Sequence, residues 1–242
     1  MSLASDLCTT TLDRIVSRLD LREREAEGGG PLIPLVSQAD SSPVGSARVF
    51  TGDALSRVVY VGLAVPAFQL DSHMLFALTR PESAIPHFTV DSVYAGGNYA
   101  FHLDLIPRVD LAVNLAHMDA AFGPLTDTHA RVREWEGLSH AQISPRQYAV
   151  MSPWMLVHRA TAEAFAGVSD PVGTYLEHWL SMVERGLAPE ACEGLEPAAL
   201  AERDARHRAV LFNPDVDPVW GRVARLLGDK TCERVRELLV RP

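Results

Sequence analysis

The sequence is almost without lysine: of its 22 basic residues only Lys230 is not an arginine. With abundant alanine, that bias points to a GC-rich bacterial gene and says nothing of chemistry. Cysteine is scarce too. Cys8, Cys192 and Cys232 are odd in number and far apart, which excludes a disulfide framework or zinc box and fits a reducing cytoplasm. No apolar run approaches the ~20 residues that span a bilayer, so no membrane partner is expected. The opening MSLASDLCTTTLDRIV lacks a basic start followed by an apolar core, and is not expected to act as a secretory signal. Positive charge is in deficit: 22 Lys and Arg against 31 Asp and Glu leave a net charge of −9, a poor footprint for nucleic acid.

The familiar chemical motifs are missing as well. Gly28-Gly29-Gly30 follows a helical stretch and not a strand, so it is no dinucleotide loop. AGGN at 95–98 reads as a hairpin turn rather than a phosphate cradle. GLSHA lacks the second glycine of a nucleophile elbow, which leaves Ser139 a loop serine. The nine histidines show no HExxH or comparable spacing, so no metal site is expected.

What is present is the composition of a folded protein, 47% hydrophobic and 22% charged over 242 residues. Leu12, Ile15, Val16 and Leu19 recur at helical spacing and predict a helix over 5–27, followed by a loose Ser/Pro/Gly-rich stretch to about 46. Five β-like runs come next, ARVFTG, SRVVYVGLAV, HMLFALT, HFTVDSVY and YAFHLDLI, joined by turns too short for parallel crossovers. From 110 to 242 the pattern is read as helical or mixed. A β meander at about 47–106 followed by helices predicts an α+β sandwich. With no repeat or linker, a single domain over 1–242 is expected.

The pair HMLFALTRPESAIPHFTVD carries the first functional signal. Along each strand side chains alternate, so His87, Thr89 and Asp91 share one face of the second run. If the hairpin centres near Ser83, His73 lies close to Asp91 across the strands, and His102 and Asp104 of the next run extend the polar strip. Such a strip is either satisfied structural polarity or the wall of a pocket whose desolvated carboxyl exchanges protons near neutrality. Trp154 is core packing or a platform for a flat ligand, and His158 and Arg159 are surface residues or ligand contacts. Asp215 and Asp217 are helix caps or site carboxylates.

The ordered series HFTVD, LDLIPRVDL, VMSPWMLVHRA, YLEHWLSMVERG and AERDARHRAVLFNPDVD resembles the ferredoxin-dependent bilin reductases, most closely red chlorophyll catabolite reductase, over about 55–240. Each piece is a weak motif and the order carries the resemblance. It implies a three-layer α/β/α sandwich with a central, mostly antiparallel sheet. It also implies a linear tetrapyrrole held between sheet and C-terminal helices, and no bound metal or flavin. Electrons would come singly from reduced ferredoxin, and the protein would supply protons. By the same resemblance Asp91 and Asp215 match the family's carboxylates, with Asp217 nearby. His73 matches a histidine of some bilin reductases, if one residue is inserted in the turn. Thr89, His102, Trp154, His158, Arg159 and Asp217 become substrate contacts, Arg159 through a bidentate bond to a propionate. The acidic balance is a departure, since ferredoxin is itself acidic; Arg206, Arg208, Arg222 and Arg225 would have to form a local basic patch. Two other functions stay open: an enzyme of secondary metabolism acting on another conjugated molecule, and a non-catalytic tetrapyrrole binder.

Overall fold

Residues 2–241 are described in a computed structural model of the chain. The Ser2 side chain caps the first helix, α1 (Leu3–Arg18), by accepting from the Ser5 amide at 3.1 Å. Leu7, Leu12 and Ile15 form its buried face. The helix is shorter than its periodicity predicts. Asp20 takes a left-handed φ of 48°, and the chain turns back into a short strand, β1 (Arg22–Arg24), at the sheet edge. There Glu23 makes an ion pair with Arg48, 2.6 Å apart. Pairing with the sheet overrides helix propensity here.

The stretch expected to be loose contains β2 (Ile33–Val36) and the start of β3 (Pro43–Thr51). Then come β4 (Arg57–Val65), β5 (Leu70–Leu78), β6 (His87–Ala95) and β7 (Asn98–Ile106). The AGGN turn joins the last two, with Gly96 and Gly97 at φ 55° and 89°, the positive values a two-residue hairpin of this twist needs. After β7 follow α2 (Leu115–Ala121), α3 (Thr126–Arg133), β8 (Leu138–His140), α4 (Pro145–Tyr148) and β9 (Leu156–Ala160). The chain ends in α5 (Ala162–Ala166), α6 (Ser169–Arg185), α7 (Pro197–Leu211), α8 (Val219–Leu227) and α9 (Asp229–Val240).

The nine strands form one sheet in the order β1-β3-β4-β5-β6-β7-β9-β8, with β2 also on β3, and every described pairing is antiparallel. The sheet therefore reaches well past 106: β9 lies alongside β7 although LVHRA sits between helical segments and holds only five strand residues. Helices cover both faces, as expected for a three-layer α+β sandwich. On one, α1 and α6 bury Leu75, Phe88, Val90 and Leu103, with Trp179 against Phe88 at 5.6 Å. On the other, α7, α8 and α9 cover Val59, Phe76, Leu78 and Ile106. This double cover is why β4 and β5 read as apolar runs rather than alternating ones.

A buried ionic cluster fastens α7 to the sheet. Asp204 accepts from His87 Nε2 at 2.8 Å and lies 3.4 Å from both Arg108 and Arg208. All four side chains are excluded from solvent. Burial pushes the His87 pKa down to about 3, against the pull of Asp204, so the ring is neutral. Its Nδ1 accepts from the Thr79 amide at 3.0 Å, which leaves the proton on the nitrogen facing Asp204.

Candidate active site

A cavity of about 350 Å³ opens between the sheet and the α7–α8 layer. Met74, Phe76 and Ile106 form an apolar floor, Met151 and Met155 a side wall, and Phe212 and Trp220 a roof. Phe212 is held edge-on against Phe76 at 5.0 Å and against Trp220 at 6.4 Å. Into this greasy space project Asp91 from β6, His102 from β7 and Asp217 from the loop before α8.

Asp91 and His102 are cross-strand partners. The Asp91 Oδ2 lies 3.4 Å from the His102 Nδ1, while Asp91 Oδ1 and His102 Nε2 have no hydrogen-bond partner. Trp220 Nε1 and the Thr89 hydroxyl are buried and likewise unpartnered. Buried polar atoms are nearly always satisfied. Here two faces of a proton-carrying pair and an indole donor are left free around one cavity.

The electrostatics favour protonated groups. Burial of the His102 ring disfavours its charge, but the hydrogen bond and charge of Asp91, with the fields of Asp104 and Asp217, outweigh it and raise its pKa. Asp217 is raised by burial and then by Asp91, against the Val219 amide it accepts from at 3.0 Å. Asp217 thus both accepts from the first amide of α8 and lines the cavity. Behind them Asp104 is fully buried, accepting from the Ser152 amide at 2.9 Å and from its hydroxyl. Burial pushes its pKa up to about 6, although His102 and Ser152 oppose the shift.

The register of β5 on β6 corrects one expectation. Asp91 pairs with Met74, and His73 with Ser92. Pairs sum to an odd number, so even positions of β5 share a face with odd positions of β6. His73 borders the cavity, but its ring points to the α1 side, where its Nδ1 meets the Tyr60 hydroxyl at 2.7 Å and its Nε2 meets Asp71 at 2.8 Å. A one-residue slip exchanges the faces of a whole strand. The connection from 79 to 86 sets it: Thr79 is tied to His87 and to the Ile85 carbonyl, and Arg108 grips the Arg80 and Pro81 carbonyls. The histidine beside Asp91 is His102.

Other expected residues are distributed unevenly. Asp215 is exposed and turned away, its carbonyl accepting from Arg146 at 3.0 Å, so Asp217 is the loop's carboxylate at the cavity. Thr89 lies on the cavity face of β6, opposite Phe76 and Asp104, beneath the lining. Trp154 and His158 lie on the opposite face: Trp154 stacks on Phe122 at 5.3 Å and donates to Thr126, and His158 stacks on Phe101 at 5.6 Å. Burial and the neighbouring His140 push the His158 pKa down to about 4. Arg159 shares the cavity face of β9 with Val157 but is exposed beyond the lining. Arg208 is wholly buried, so it cannot belong to a surface patch. The apolar lining from Met151, Met155, Phe212 and Trp220 was missed, and the only signal for it was that FNPDVDPVW places two aromatics around Asp217. Among the described residues no group of three His, Cys, Asp or Glu could hold a metal ion, and no helix is long and apolar enough to cross a membrane.

No protein-family model matches the chain, and no curated protein matches it in sequence. Its fold is nonetheless a known one. The crystal structure of phytochromobilin synthase from tomato, in complex with biliverdin, matches with a TM-score of 0.76 at 16% identity, over 98% of this chain and 82% of that one. The likeness is one of fold.

Proposed function

We propose that the chain is an oxidoreductase that binds a linear tetrapyrrole in the Asp91 cavity and reduces it with electrons from ferredoxin. The observation that carries this reading is the Asp91–His102 pair, whose Oδ1 and Nε2 have no hydrogen-bond partner, among apolar walls beneath an aromatic roof. A flat conjugated ligand suits those walls, and its ring nitrogens and carbonyls suit the free Trp220 and His102 nitrogens. The tomato protein of the same fold holds biliverdin, which makes a bilin the first ligand to try.

In this mechanism each electron reaches the bound ligand from outside, and the reduced radical takes a proton from the protein. His102, with its pKa raised, supplies an N–H near neutrality, and Asp91 stabilises the imidazolium before transfer and orients the ring. Asp217 on the opposite wall is placed to serve a second protonation. Two electrons and two protons saturate one double bond. A chlorophyll catabolite would meet the same groups, and the choice between bilin and catabolite rests on the substrate's edge chemistry.

The test is an absorbance titration with biliverdin, followed by anaerobic reduction with reduced ferredoxin or with NADPH alone. Binding with a red-shifted, saturable spectrum and turnover only with the one-electron donor is expected. Turnover with NADPH alone, or no binding of any linear tetrapyrrole, refutes the proposal.

A further inference from the structure

A second, larger groove of about 800 Å³ adjoins the first cavity. Ser72, Val93 and Val219 line both, so the two spaces meet along one wall. Its floor is apolar, from Leu63, Val65 and Leu70 at the ends of β4 and β5, and α8 closes it with Val223 and Leu226. Phe68 stands at its edge 69% exposed, an aromatic ring with no described ring partner.

Charge divides the two spaces. The charged side chains of the first cavity are Asp91 and Asp217, joined by the titratable His102. The second groove carries Arg222 and Arg225, both exposed and in no described ion pair, together with Asp40, whose carboxylate is engaged by Ser42 at 2.7 Å. The positive field of Arg222 extends to Asp217. In the first space the charges of Asp91 and His102 offset one another, so the guanidinium charge that attracts an anionic group lies in the second. Size agrees: about 350 Å³ is at the bottom of the range for small-molecule sites, too little for four pyrrole rings and two propionates.

We infer that the ligand spans both spaces, with its reacting end at Asp91 and its carboxylate-bearing edge in the groove, held by Arg222 and Arg225. This rests on the tetrapyrrole reading and assigns the groove as the determinant of acid-side-chain recognition. It displaces Arg159, which is exposed outside both linings, as the propionate partner.

The experiment titrates biliverdin and biliverdin dimethyl ester into the wild-type protein, an Arg222→Ala/Arg225→Ala variant and Arg159→Ala. Both arginines of the pair are exposed, so folding is expected to persist, and far-UV circular dichroism checks it. Wild type should prefer the diacid by about tenfold, the scale of two partly exposed ion pairs. The double variant should lose that preference with ester affinity unchanged, and Arg159→Ala should keep it. Equal affinities for diacid and ester in wild type, a preference intact in the double variant, or its loss in Arg159→Ala overturns the inference while bilin binding stands. Failure of wild type to bind either pigment overturns this inference and the functional reading together.

Discussion

Replacing Asp91 by asparagine keeps the cavity's shape and removes the charge that sustains an imidazolium at His102. At 3.4 Å the attraction is about 1 kcal/mol in a water-like medium and about 5 kcal/mol at an effective dielectric of 20. The Asp91 side chain is 28% exposed, so solvent screening places the effect near the lower end, at about 1–2 kcal/mol or roughly one pKa unit. The sign follows from the direction of the shift. On the proposed mechanism a raised His102 pKa would keep the proton donor loaded in the wild type, and reduction should fall only as pH rises through that raised value. The same linkage stabilises the fold below the unfolded histidine pKa and is lost on going alkaline. In Asp91→Asn burial of the ring is opposed only by Asp104 and Asp217. The His102 titration and the alkaline limb of the rate should both move toward acid by about one unit. Single-turnover reduction near pH 7 should drop by up to about tenfold, the loss of protonated His102 that one pKa unit brings, with bilin affinity preserved. The assays are NMR titration of the His102 ring and stopped-flow reduction across pH. An unmoved His102 titration, or full turnover in the variant, refutes the coupling. His73→Gln is the control, because its ring lies on the other face of the sheet and should change melting temperature but not turnover per folded molecule.

The loop before α8 gives a paired test: Asp217→Asn should slow one protonation step or alter its stereochemistry, seen in product chromatography, whereas exposed Asp215→Asn should match wild type, and the reverse pattern would remove Asp217 from the site. Asp204→Ala strands Arg108 and Arg208 without their buried counter-charge, so urea unfolding should show a loss of about 3–5 kcal/mol. A loss below about 1 kcal/mol would mean that backbone carbonyls alone satisfy the two guanidiniums.

The amino-acid sequence by itself determined what is local. Alternation in HFTVD places His87, Thr89 and Asp91 on one side of a strand, since that period belongs to a single chain segment. Paired glycines make the AGGN hairpin, and short turns impose antiparallel order on β3 through β7. Tertiary structure decided what lies between segments. Whether His73 joins Asp91 on one face depended on one residue of register between β5 and β6, which Thr79, His87 and Arg108 set through contacts with no signature along the chain. Five residues of β9 became a strand because β7 offered an open edge, against helical flanks on both sides. Asp217 rather than Asp215 reached the cavity because α8 begins where the loop hands its first amide to Asp217. Periodicity is a property of one segment, whereas a site is made by the relative placement of several. That placement is chosen by the burial of two cores at once.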